Sequence, residues 1–583
     1  MARRQHAAFR RKGAGAAPNA PHAREASRPL PLSAATEWTA RAVIAVAAFA
    51  VFARALPYPL QRSWDDGRFI LDNSDVLHPS FAALQRIVSK PQFEAYHPLH
   101  LLGYWLDVPW SGATPWVLHA TSLALWVIGL WFLYAAMRAL SITPWVAVLG
   151  TLACGLHPVQ VEAVVWATGR KDVLAMLFAS ASLWSHLRAS TAWDRFAWVS
   201  RLAYALALLS KTTALPLPLV LLAIDLLARN LRLGPALLRQ LPSFAIGAAA
   251  TAGVLVIWRD NVMLRTTVGG ASLAPLRFVQ TVGHQLLTAV WPSRTAPMYA
   301  TGQVIEYDVS AFVAVLTWLS VCAAAWRTGA RLVLAGLIGF GLLMLPVSNL
   351  VPMYFTLQDR YLSLPLVGLA LAFAAFIDSA GGANRRGAAI VGSLLVAALG
   401  LRTVQYVGAW ESETRLWGHA ASTQPDADYA WLKLGEVRRD HAELEGAIVA
   451  FQTAIQVAPL RKLAHAALFE AVALRDERIS GLTPSNARTL AQRYYESMDS
   501  QQGLQELASF LLQRGYLRTL ELPLQIIIAR EKLPDDALQK IARAQLREGR
   551  RSLARFYAAG MQKKTEDPEL RALLDQFSFR VLP

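Results

Sequence analysis

The sequence predicts an all-α protein: a polytopic bundle of about eleven membrane-crossing helices, followed by a soluble solenoid of paired helices. Three observations predict it. Of 583 residues, 54% are hydrophobic, and the mean hydropathy is +0.32, too apolar for an ordinary soluble chain. The apolar residues fall in runs that approach the roughly 20 residues a bilayer-crossing helix needs. Beyond residue 407 the pattern becomes mostly polar, with apolar residues at helical spacing.

The elements follow in order. Residues 1–37 are basic and rich in Ala and Pro, which predicts a disordered cytoplasmic tail. The first span lies near 38–58. Ala53-Arg54-Ala55 has the form of a cleavage site, but the long preceding tail points to an uncleaved anchor. Further spans are expected near 114–137, 144–160, 172–188, 199–211, 213–228, 243–258, 311–326, 332–348, 362–377 and 388–406. Lys211, Pro216 and Pro218 divide the apolar stretch 199–228 into two spans. Residues 277–291, "RFVQTVGHQLLTAVW", read as re-entrant or interfacial.

Charge orients the bundle. The net charge of +17 is carried largely by Arg in the N-terminal tail and in short alternate loops. This is a topology signal, and it gives no support to nucleic acid as a partner. Arg138, Arg188, Arg195, Arg201, Arg229, Arg232, Arg239, Arg327, Arg331, Arg385 and Arg386 fall in one set of loops. Most loop carboxylates fall in the other set, 60–113, 157–171, 259–310 and 350–361. A cytoplasmic N-terminus and an odd span count then place 407–583 outside the cytoplasm. Cys154 and Cys322 both sit in apolar runs, so no disulfide framework is expected. Abundant Ala and the excess of Arg over Lys suggest a GC-rich bacterial genome, hence an inner membrane with periplasmic repeats.

In the tail, "DYAWLKLGEVRRDHAELEGAIVAFQTAIQVAP" carries Trp431, Leu434, Gly435, Ala447, Phe451, Ala454 and Pro459 at the offsets of the 34-residue tetratricopeptide repeat. The clear unit is 428–461. One unit cannot bury its own face, so its neighbours are expected to be helical too.

Four clusters are candidates for chemistry. "SWDDGRF" places Asp65 and Asp66 just beyond the first span, beside an interfacial Trp64. Read plainly they are solvated loop acids. Read functionally they are a general base or metal ligand at headgroup depth. Arg54 nearby either snorkels or faces a phosphate. "GLHPVQVEAVVWATGRKDVLAM" gathers His157, Glu162, Arg170, Lys171 and Asp172 in a short outer connection. It is either a salt-bridged loop cap or an anion site. "FEAYHPLHLLGYWLD" sets His97 and His100 at i, i+3, with Glu94 and Tyr96 able to line a cleft. No third ligand completes a zinc set, so structural histidines are expected. "LQDRYL" puts Gln358, Asp359, Arg360 and Tyr361 directly before a span, as an interfacial anchor or as part of the same phosphate site. No phosphate-loop, serine-hydrolase or dithiol motif occurs in a supporting context.

Taken together, several segments resemble the transmembrane-and-tetratricopeptide O-mannosyltransferases and their bacterial relatives in the GT-C glycosyltransferase class. They are "WDDGRFILDNSDV", "YHPLHLLGYWLD", "HPVQVEAVVWATGRKDVLAMLF", "LALLSKTTALPLPLVLLAID", "LPVSNLVPMYFTLQDRYLSLPLVGL" and "GAWESETRLWGHAASTQPDADYAWLKLGEV". They keep the family's order over most of 60–460, and the third is the most specific. The resemblance implies a GT-C-like transmembrane domain over 38–406 and an extracytoplasmic helical-repeat domain over 407–583. It also implies a membrane glycosyltransferase that moves a sugar from a polyprenyl-phosphate donor to an extracytoplasmic protein or glycan acceptor. By motif, Asp65 or Asp66 is the catalytic carboxylate, and Arg170, Lys171 and Arg360 grip the lipid phosphate. His97, His157, Glu162, Asp172 and Asp359 support them. Two positions depart from the family pattern. His97 stands where Arg often precedes Pro-Leu, and Asp359-Arg360 replaces a Glu-Arg pair, so the sugar and the acceptor are open.

Adjacent side chains point apart, so one aspartate is expected to be the base and the other to orient it or hold metal, with Asp66 the expected base. A divalent metal is compatible with the pair and is not required. The leading expectation is protein O-glycosylation at the membrane. The alternatives are a glycan- or lipid-modifying transferase of the same class, and a non-catalytic membrane-anchored tetratricopeptide adaptor.

Overall fold

The computed structural model describes residues 33–92, 96–258, 274–300, 308–351, 353, 355–476, 482–514 and parts of 516–575. Expectations for 1–32 and for Glu94 lie outside these residues. The regular elements described are helices.

A helix stands at each of the eleven places where a span is expected. They are α1 (Ala34–Phe52), α2 (Pro115–Ala139), α3 (Pro144–Gly155), α4 (Arg170–Arg188), α5 (Arg195–Ser210), α6 (Leu217–Leu227), α7 (Leu233–Trp258), and, beyond α8 (Ala274–Val290), α9 (Val309–Arg327), α10 (Arg331–Met344), α11 (Leu366–Ser379) and α12 (Gly382–Val407). Among the described residues four stretches are long and apolar enough to cross a membrane: Ala34–Ala55, Pro115–Ala139, Val309–Arg327 and Gly382–Glu411. Pro144–Gly155, Thr212–Leu227, Arg331–Val347 and Leu366–Ser379 are apolar but shorter.

Local chemistry sets the ends. Pro115 and Pro144 occupy the first turns of α2 and α3, where no backbone donor is wanted. Ser33 and Asp194 cap α1 and α5 through their side chains. The break at Lys211 is real: α5 ends at Ser210, a 3-10 turn spans Thr212–Ala214, and α6 begins at Leu217. Helix α7 starts earlier than the expected 243, carrying Pro242 inside it. Segment 277–291 forms most of α8, an amphipathic helix packed on α9.

The bundle core is built from α4 against α2 and α5, α11 against α10 and α3, and α1 against α3. Glycine permits the closest approach. A Cβ on Gly368 would fall 2.3 Å from the Phe340 nitrogen and 2.7 Å from the Gly336 oxygen, which welds α11 to α10 backbone to backbone.

The tail continues as α13 (Glu413–Thr423), α14 (Asp428–Asp440), α15 (Leu444–Val457), α16 (Lys462–Asp476), α17 (Pro484–Ser497) and α18 (Gln501–Gln513), each packed on the next. A Cβ on Gly435 would lie 2.4 Å from the Phe451 ring, so small and large residues interlock α14 with α15. The first tail helices are not a separate body. Trp410, Leu416, Trp417, Ala420, Ala427, Ala430 and Leu434 belong to the same continuous core as α1, α2 and α11.

Candidate functional site

Three distant segments converge beyond the end of α1. The connection 61–69, the connection 160–172 and the turn 358–361 meet around Trp64 and Trp166, whose ring centroids lie 5.6 Å apart. Trp417 packs edge-on against Trp64 at 5.3 Å, and Phe355 and Tyr429 complete an aromatic wall at 6.2 and 6.4 Å. The tail grips the acid-bearing loop directly. Ser63 N donates to Glu413 Oε1 at 2.5 Å, Trp417 Nε1 donates to Ser63 Oγ at 2.8 Å, and Gln61 Nε2 donates to the Trp410 carbonyl. Arg54 pairs with Glu411 at 3.1 Å.

The two aspartates have opposite surroundings. Asp66 is fully buried. Its Oδ2 accepts from Gln61 N at 2.7 Å, and its Oδ1 accepts from Thr168 N at 2.9 Å and Thr168 Oγ1 at 2.6 Å. It is a clamp that fastens the first loop to the 166–169 turn. That turn needs Gly169, where a Cβ would fall 2.5 Å from the Ala163 oxygen. Asp65 is half-buried, and its carboxylate has no hydrogen-bond partner among the described residues. It interacts through space with both Lys171 and Arg360.

Burial pushes the Asp66 carboxyl up to about 6, against the donation from Thr168 and Gln61, with Asp65 adding slightly. The folded-state value lies above the unfolded one of about 3.9. The protonated form therefore favours the fold, and this contribution is complete below about pH 4 and lost as pH rises through about 6. The melting temperature of the wild type relative to Asp66→Asn is expected to fall between pH 4 and 7, a loss of about 3 kcal/mol at about 1.4 per unit. Thermal unfolding of both proteins in detergent across that range checks it; a flat difference would refute the buried-acid account.

Arg170 turns away from the site. It is fully buried and pairs with Asp107 through Nη1–Oδ1 at 3.0 Å and Nη2–Oδ2 at 2.7 Å. Its Nε donates to Ser122 Oγ, and its remaining Nη hydrogens reach the Gly103 and Leu118 carbonyls. All five donors are spent inside the protein, so the expected grip of Arg170 on a phosphate is corrected: it is a structural tie. The family motif marked the residue, but Asp107, which consumes it, lies 63 residues away in sequence.

Lys171 and Arg360 remain. Lys171 Nζ stands 4.9 Å from the Trp166 ring and 5.2 Å from that of Phe69, with no carboxylate within salt-bridge distance among the described residues. The Arg360 guanidinium lies 5.2 Å from the Trp166 ring and 5.7 Å from that of Trp64. Its Nη1 pairs with Glu162 Oε1, and its backbone N donates to Glu162 Oε2 at 3.0 Å. Glu162 is fully buried. Asp172 pairs with Lys211, a cation that the sequence had marked only as a break between spans. The indole nitrogens of Trp64 and Trp166 are buried without hydrogen-bond partners among the described residues.

The supporting residues divide. His97 lies within electrostatic reach of Lys171 and Lys211 and lines a crevice of about 240 Å³ with Phe69 and His100. His100 Nε2 bonds Tyr104 Oη at 2.8 Å, and its Nδ1 is buried with no hydrogen-bond partner among the described residues. Tyr96 Oη donates to the Val88 carbonyl. His157 is removed from the site: Nε2 donates to the Ala289 carbonyl at 3.1 Å and Nδ1 accepts from Val159 N. Asp359 is buried and accepts from Tyr299 Oη at 2.5 Å, and burial with Glu162 raises its carboxyl well above the usual range. Among the described residues no three His, Cys, Asp or Glu side chains gather into a ready metal set.

No family model and no curated protein matches the chain. A solved structure, the crystal structure of ArnT from Cupriavidus metallidurans bound to undecaprenyl phosphate, is similar at 16% identity and a TM-score of 0.34, over 76% of this chain and 81% of that one.

Proposed function

We propose that this chain is an inverting membrane glycosyltransferase of GT-C type that moves a sugar from a polyprenyl phosphate to a hydroxyl acceptor, with protein O-glycosylation the favoured acceptor class. One observation carries the reading: a half-buried carboxylate with no hydrogen-bond partner among the described residues, Asp65, lies within electrostatic reach of two cations, Lys171 and Arg360, that both stand over the Trp166 ring.

The reaction assigns each group a task. The acceptor oxygen attacks the anomeric carbon, and Asp65 takes the hydroxyl proton as general base. The bond from the anomeric carbon to the phosphate oxygen breaks, and the electron pair leaves on the polyprenyl phosphate. Lys171 and the free face of Arg360 stabilise that charge. Glu162 holds Arg360 in place, and the Asp172–Lys211 pair lies within electrostatic reach of the cations. Asp66 is a positioning residue, so the roles first expected of the two aspartates are exchanged. The tail helices brace the acid-bearing loop through Trp417 and Glu413, and the repeats beyond them are assigned the recruitment of the acceptor.

The test compares glycoproteins and glycolipids by mass spectrometry in cells with the protein, without it, and with Asp65→Asn. Loss of one glycan class in the last two supports the reading; unchanged profiles would leave a tethered adaptor. A second expectation concerns the donor. Lys171→Gln and Arg360→Lys, which retains the charge beside Glu162, each raise the KM for the polyprenyl donor roughly 10- to 100-fold, the worth of one charge-assisted hydrogen bond. Steady-state kinetics in proteoliposomes with varied donor checks this, and an effect confined to the acceptor KM would reassign the pair.

A further inference from the structure

The other end of the α4–α5 pair holds a second basic site that the proposed reaction does not use. Lys171 and His186 both lie on α4, separated along its axis by about 22 Å at 1.5 Å per residue. Around His186 the chain forms a notch of about 220 Å³, its open mouth included, lined by Thr191, Ser200, Arg201, Arg239, Gln240 and Ser243.

The lining is built for a negative guest. Arg201 is 3% exposed, stacked 4.7 Å from the Trp198 ring and 4.9 Å from that of Trp193. Its Nη2 donates to the Ala192 carbonyl, but its Nη1 is buried and has no hydrogen-bond partner among the described residues. A buried cationic donor left unmade is costly. Arg239 closes the C-terminal end of α4 by donating to the Ala189, Ser190 and His186 carbonyls.

The local acids are already spent. Asp225 takes His186 at 3.0 Å, Arg229 at 3.1 Å and Arg239 at 3.5 Å. Asp194 takes the Ser190 N and Oγ, Thr191 N and Ala197 N donors. Asp194 lies within electrostatic reach of Arg201 and Arg239, but neither carboxylate bonds Arg201 directly. Outside the notch, Trp198, Leu202, Leu238 and Leu241 are exposed apolar residues, as a surface bordered by acyl chains would be.

We propose that this notch binds a phosphate group, with Arg201 Nη1 as its principal donor and the Thr191 and Ser243 hydroxyls beside it. Arginine suits tetrahedral oxyanions because its planar fork supplies parallel donors. The phosphate comes from an anionic lipid headgroup or from free phosphate, and the same site chemistry serves both.

The test uses the full-length protein and reads binding alone, so it stands apart from the transferase reading. Inorganic phosphate is titrated against chloride at matched ionic strength, following the melting temperature. Phosphatidylglycerol and phosphatidylcholine are compared for retention through detergent exchange by native mass spectrometry. A phosphate-dependent rise in melting temperature identifies free phosphate as the source. Selective retention of phosphatidylglycerol without that rise identifies a lipid headgroup. In either case Arg201→Gln weakens binding at least tenfold. Thr191→Glu, at an exposed position, does the same by placing a carboxylate in the mouth. No response to either probe, or undiminished binding in Thr191→Glu, overturns the proposal.

Discussion

Asp65→Asn abolishes sugar transfer, with a fall in kcat of about 10²–10⁴, the usual worth of a positioned general base, and leaves the melting temperature of the protein close to that of the wild type. The expectation rests on the contrast with its neighbour. Asp65 accepts no hydrogen bond among the described residues, so the amide substitution removes a proton acceptor and breaks no internal hydrogen bond, only the through-space attraction to Lys171 and Arg360. Asp66→Ala behaves in the reverse sense. It strands the Gln61 N–H, the Thr168 N–H and the Thr168 hydroxyl in a buried space. Each orphaned donor costs about 1–3 kcal/mol, so the variant loses stability first and activity as a consequence. Measuring kcat and thermal unfolding on the same two preparations separates base from clamp. If Asp65→Asn retains full turnover while a stably folded Asp66 variant has none, the roles are the other way round.

The helices were legible because a long apolar run can be satisfied in only one way in a membrane: with every backbone group bonded within its own segment. A helix stands at all eleven expected places, although only four of the described stretches are long and apolar enough to cross a membrane, and Lys211, Pro216 and Pro218 mark a visible break. The convergence of three segments was legible only as a pattern of motifs, since composition gives no reason for 64, 166 and 360 to meet. What stayed hidden is the division of labour inside each motif. Asp65 and Asp66 are the same residue type at adjacent positions. Their difference is made by donors at Gln61 and Thr168, the second 102 residues away. Arg170 and Lys171 are likewise adjacent cations at the start of α4. Helical geometry turns successive side chains by about 100°, so one faces Trp166 and the other the 103–122 side. Nor could the sequence show that the tail shares the bundle's core. Apolar residues at 410–434 have the same helical spacing whether they pack on a neighbouring repeat or on α1 and α2.

That division makes Arg170 the sharpest test of whether a motif cation binds ligand or holds the fold. Arg170→Leu leaves Asp107 as an uncompensated buried charge, and breaking a buried pair in this way costs about 3–5 kcal/mol. The variant is therefore expected to accumulate poorly in the membrane and to unfold well below the wild type. Removing the partner too, in Arg170→Leu with Asp107→Leu, recovers part of the loss because no lone charge remains. The Gly103 and Leu118 carbonyls still lack their donors, so recovery stays incomplete. Arg170→Lys keeps the charge but cannot supply five donors in a plane, and it too destabilises. A phosphate-binding arginine would give a different signature: the double variant would fold no better than the single one, and Arg170→Lys would raise the donor KM at unchanged melting temperature. Unfolding curves for the three variants, set beside donor KM for those that fold, decide between the two. With its donors spent on Asp107 and three further oxygens, Arg170 is expected to move the unfolding curve and leave the donor KM where it was.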